Sequence, residues 1–282
     1  PRLNLDALPS GLSELYMDRY HRTFKDKNLV SFHAHSCLML AMLTSASGEL
    51  TVDMVCDAGS EGHITDDTWV ATRKKHLEFV KCMCTGSLVT KGLLQFSHKS
   101  FGDWLFSNPK FEANYEMGTK LLVSSCLKIL SIKKKKGQNE KAVMYALGNV
   151  MDHNGSRDPW SNSVGNNVAV LIPVILSHMV YSDKEATEDG MINENDYAET
   201  WTIRKAAASL LDQLCGGKNA QSSMREWYAK QFVNYLPRFV IEIKELMDTH
   251  KADSADWRHL ESGILALGCI SKGCPQIISY ME

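Results

Sequence analysis

Two stretches of this chain constrain its fold more than any others. WTIRKAAASLLDQLC opens at Trp201 and WRHLESGILALGCISKGC opens at Trp257. In both, a charge follows four residues after the tryptophan (Lys205, Glu261), then two small residues (Ala206-Ala207, Ser262-Gly263). Aliphatics then recur at matching places (Leu211 and Leu267, Leu214 and Ile270). Apolar residues three and four apart predict an amphipathic helix in each copy. A chain that writes one helix twice predicts stacked like units, because each unit must bury its apolar face on the next. The tryptophans stand 56 residues apart, from 201 to 257. HEAT-type helix pairs repeat at about 40, so about sixteen residues are extra, in 215–227 or 247–257.

On the first helix Ile203, Ala207, Leu210 and Leu214 form the expected core stripe. Trp201, Lys205, Ala208, Asp212 and Cys215 form a second stripe that mixes an aromatic, a cation, a small residue and an acid. On the second helix the expected core stripe is Leu260, Ile264, Leu267 and Ile270. Glu261, Leu265, Gly268 and Lys272 fall opposite, with Cys269 at the edge. Small residues beside an acid and an aromatic make a shallow place for an extended peptide. The plainer alternative is that Trp201 only anchors the start of its helix.

Most other segments also read as helix. Leu12–Phe24, Phe32–Thr44, Asp67–Met83, Asn114–Ser131, Gln138–Asp152, Val168–Tyr181 and Ser222–Met247 carry the three- and four-residue spacing, and Pro237 kinks or divides the last. ELTVDMVC, from Glu49, fits a short strand or a helix start. LVTKGLLQFSH, from Leu88, alternates enough to predict a two-stranded hairpin turning near Lys91-Gly92. The expected fold is all-α, winged-helix-like over residues 1–152 with one small hairpin, and HEAT-like (armadillo-like helical) over 167–282. HNGSRDPWSNSVGNN marks a linker at 153–166, and 182–199 reads as an acidic loop. The opening without Met and the helix-like close suggest a piece of a longer protein.

The chemistry-bearing motifs are mostly excluded. With 31 Lys+Arg against 33 Asp+Glu, no bulk basic field argues for nucleic acid. No apolar run reaches the roughly 18 to 20 residues that span a bilayer. Eight cysteines lie in apolar contexts without an export signal, which fits buried reduced thiols. Gly217-Lys218 lacks the rest of a phosphate loop. Cys82-Met83-Cys84 is too tight for a zinc pair, and His33, His35 and Cys37 do not share one helix face. His98 and Ser100 read as packing or capping residues rather than a dyad. The Lys133–Lys136 run reads as a solvated helix end or a localisation signal. No enzyme, cofactor or metal is expected.

From Val168 to Glu282, LIPVILSHMVYSD, the acidic insertion, WTIRKAAASLLDQLC and ESGILALGCISKGC together resemble the middle repeats of transportin-type karyopherins, the importin-beta class of nuclear import receptors. The resemblance implies that the two Trp-type helices line a concave surface that binds extended, basic, Pro-Tyr-type cargo signals. Cargo-contacting positions carried over are Trp201, Ala208 and Asp212 on the first helix, and Leu265 and Cys269 on the second. The acids Asp183, Glu185, Glu188, Asp189, Glu194, Asp196 and Glu199 match the loop that couples binding of the Ran GTPase to cargo release, although the loop is much shorter here. The implied locations are cytoplasm and nucleus. Separately, LPSGLSELYMDRYHRTF, ASGELTVDMV, FSHKSFGDWLF and MGTKLLVSSCLKIL resemble the helical and winged-helix tail of NACHT-type signalling ATPases. That resemblance, over about residues 7 to 150, implies a regulatory or oligomer-packing module without the ATPase core.

Overall fold

The computed structural model describes residues 11, 14–16, 29–60, 67–107, 115–131, 139–153, 167–181, 202–218, 220, 225–252 and 257–281. These residues are mostly helical. They divide into two compact units, residues 1–125 and 126–282. The expected linker, but for His153, and the whole expected acidic loop lie outside the described residues, as do Trp201 and most of the helix expected from Leu12.

In the first unit the order is α1 (Leu29–Ser45), β1 (Leu50–Thr51), α2 (Val52–Ser60), α3 (Asp67–Cys82), α4 (Gly86–Val89), β2 (Leu93–Leu94) and α5 (Lys99–Ser107). The segment from Glu49 is both things its sequence allowed, two strand residues followed by a helix. The hairpin is not the local one expected. β2 pairs antiparallel with β1, Leu50 opposite Leu94 and Thr51 opposite Leu93. The residues expected as the first arm, 88–89, belong instead to the helical turn α4. Arms farther out meet each other: Cys84 bridges Phe96, and the Thr85 N–H donates to the Gln95 carbonyl at 2.9 Å. Burial explains the change, since Leu93 and Leu94 are adjacent yet both buried, which a locally alternating ribbon would not allow. Gly92, at φ +72°, supplies the left-handed turn before them.

α1 packs on α2, α3 and α5. The next helix, α6 (Tyr115–Leu130), carries the boundary between the units. It approaches α1 closely at Gly118, where a Cβ would run into the Ala41 carbonyl and the Ser45 hydroxyl.

The second unit continues with α7 (Glu140–His153), α8 (Val168–Met179), α9 (Ile203–Leu214), α10 (Arg225–Val233), α11 (Leu236–Ala252), α12 (Trp257–Ser271) and α13 (Ile277–Met281). The long helix expected from Ser222 is two, broken at Asn234-Tyr235, with Pro237 in the first turn of α11 where its missing N–H costs nothing. α9 lies between α7 and α12 and packs against both. α8 packs on α9, α11 on α12, and α8 on α11. The contacts therefore define two layers, α7–α9–α12 and α8–α11. α8 is almost wholly apolar because it meets α9, α11 and α12, burying Val168, Leu171, Ile172, Val174, Ile175, Leu176 and Met179. α7, grouped with the first half in the sequence reading, packs within this unit on α9.

α9 begins where the Thr202 side chain accepts the Lys205 N–H at 3.3 Å. It ends in a Schellman motif. The Gly216 N–H donates to the Gln213 carbonyl at 3.1 Å and the Gly217 N–H to the Asp212 carbonyl at 2.7 Å. Gly216, at φ +77°, is the left-handed residue this ending requires.

Candidate functional site: the valley between α9 and α12

The two Trp-type helices pack against each other. Their core stripes match each other but not the stripes expected in the sequence. α9 buries Ala206, Ala207, Leu210 and Leu214, and α12 buries the equivalent Ser262, Gly263, Ala266 and Ile270. Ile203 is half-buried, so the first expected stripe holds in three of its four residues. The second expected stripe is corrected: Leu260 and Leu267 are half-buried, and Ile264 is 59% exposed. The small pair is placed inward because α12 comes close to α11, and a Cβ on Gly263 would run into the Met247 side chain.

Of the expected contact residues, Ala208, Leu265 and Cys269 are half-buried. They sit on the flanks of α9 and α12 that border one another. Asp212 is not the exposed acid expected. It is 9% exposed, and its carboxylate lies against Gly217, where a Cβ would overlap it. Asp212 and Cys269 are electrostatic neighbours. Burial first, and then the Asp212 carboxylate, push the Cys269 thiol up to about 11, partly offset by Arg204 and Lys272. The Cys215 Sγ lies 3.3 Å from the Asp212 carbonyl and 3.7 Å from the Cys269 carbonyl. Burial also raises Cys215, and raises Cys274 to about 11. These thiols stay protonated at neutral pH, which suits packing rather than nucleophilic or metal-ligating work.

The strongest polar feature of the valley was not anticipated. Arg204, 8% exposed, reaches across from the start of α9. Its Nε donates to the Met179 carbonyl at the end of α8 (2.9 Å), and its Nη1 donates to the Tyr181 hydroxyl (3.0 Å). Its Nη2 donates to both oxygens of Glu261 on α12. The guanidinium also stacks 4.0 Å over the Tyr181 ring, which in turn packs 5.4 Å from Trp257. The Ser262 hydroxyl lies 3.0 Å from the same Met179 carbonyl. One buried cation thus joins three helices at a place where α8 leaves carbonyls without intrahelical donors. The signal that could have exposed it is the inward register of Arg204, next to the small pair.

Elsewhere the geometry gives hydrogen-bonding and capping partners to residues weighed from sequence. Ser100 is buried, and its Oγ lies 2.5 Å from the His98 Nδ1 and 2.8 Å from the Tyr16 hydroxyl. His98 also accepts the Ser100 N–H at 3.3 Å, so it caps α5. Gly217 belongs to the helix ending rather than to a phosphate cradle. No disulfide joins any of the eight cysteines. Among the described residues no group of three or more His, Cys, Asp or Glu could hold a metal, and no helix is long and apolar enough to cross a membrane.

Comparison of the chain with protein-family models, with curated proteins and with solved structures gives no match.

Proposed function

We propose that the second unit is a non-enzymatic, HEAT-like binding scaffold of the nuclear transport receptor type. In this reading the valley between α9 and α12 takes an extended, basic, Pro-Tyr-type cargo signal, and a Ran-like GTPase is the second partner, in cytoplasm and nucleus. The observation that carries it is the side-by-side packing of the two Trp-type helices, with Ala208, Leu265 and Cys269 half-buried along their shared border. The acids at 183–199 would serve release, and they lie outside the described residues.

The test is a fluorescence titration of the chain with a labelled basic Pro-Tyr peptide. Asp212 is too buried for a clean charge reversal, so Ala208→Arg and Leu265→Arg are the informative variants. Each should weaken binding at least about tenfold, the cost of roughly 1.4 kcal/mol. Equal affinity in both variants, or no binding by the unaltered chain, would remove the reading.

A second reading is favoured by one observation in the first unit. The order α1, β1, α2, α3, then two bridged arms, with β1 pairing to the strand after the turn, supports a winged-helix-like reading. It fits the regulatory or oligomerisation tail of a NACHT-type signalling ATPase. Self-association that survives deletion of residues 167–282 would favour it.

A further inference from the structure

We draw no further inference here: the strongest candidate, the cluster of Cys215, Cys269 and Cys274 where the ends of α9 and α12 meet, carries nothing, because burial holds these thiols protonated and, among the described residues, no group of three metal-ligating side chains is placed to hold an ion.

Discussion

The Arg204–Glu261 pair makes an asymmetric prediction. Replacing Arg204 by Met removes two hydrogen bonds, to Met179 and Tyr181, one ion pair and one cation–π contact. The groups left behind are not stranded. The Met179 carbonyl keeps the Ser262 hydroxyl at 3.0 Å, and the Glu261 side chain, 38% exposed, reaches water. At about 1 kcal/mol for a typical bond, and somewhat more for those a charge makes, the loss should be roughly 2–4 kcal/mol. Replacing Glu261 by Gln keeps the shape but leaves a guanidinium, 9% exposed as a side chain, without its carboxylate. Breaking a fully buried pair costs about 3–5 kcal/mol, and the exposure of Glu261 reduces this to about 1–3 kcal/mol. The double variant should then be less destabilised than the sum, by a coupling of about 1–2 kcal/mol. Urea unfolding of the four proteins, read by far-UV circular dichroism, measures the cycle. If the two changes add within about 0.5 kcal/mol, the pair contributes nothing to holding α9 on α12, and the account of the valley's rigidity fails.

Three further outcomes follow from single features. Gly216→Ala should cost about 1–3 kcal/mol, because φ is +77° and the added Cβ would meet the Arg225 carbonyl; an unchanged urea midpoint would refute the Schellman ending. Gly118→Ala should cost about 2–4 kcal/mol by forcing α6 away from Ala41 and Ser45 on α1, and a variant with the parent melting temperature would show that the approach is looser. Burial raises Cys269 and Cys274 to about 11, and Cys84 and Cys126 to about 12, from an ordinary 9.0. The native state thus keeps protons that the unfolded chain gives up, so stability is fully present below pH 9 and falls as pH rises through 11 and 12. Urea midpoints at pH 8 and at about pH 10.5 test this, and equal midpoints would contradict it.

The helical character and most helix positions could be read from spacing alone, because three- and four-residue periodicity and the Cys215-Gly216-Gly217 ending are local signals. The division of the long segment at Pro237 was equally local. What could not be read is which partner each stripe meets. β2 pairs with β1, more than forty residues earlier, and the local alternation around Lys91-Gly92 holds no trace of that choice. Asp212 looked like a surface acid by residue type, but the tight Gly-Gly turn folds back over it. Arg204 stands beside Lys205 in the sequence, and only the end of α8, far away in sequence, distinguishes the two cations.

The misread stripe on α12 has a more general cause. A helix at the edge of a packed layer needs one apolar stripe, but a helix inside a layer needs buried surface on three sides. α9 meets that demand with small residues toward the second layer, Ala206 and Ala207, and with Arg204, Leu211 and Cys215 toward α12. α12 repeats the pattern position by position: Ser262 and Gly263 toward the second layer, and Leu260, Ile264 and Leu267 where α9 holds its neighbour. Periodicity ranks stripes by hydrophobicity, so it picks the larger aliphatics as core and passes over the serine and glycine. Packing ranks them by how close the backbones come, and the smallest residues lie where the layers approach most nearly. Exchanging Gly263 for Leu should therefore cost more stability, by about 2–4 kcal/mol, than exchanging Ile264 for Lys, which should stay within about 0.5 kcal/mol. The reverse order in a urea titration would restore the aliphatic stripe as core and remove the argument that close backbone approach sets the register of α12.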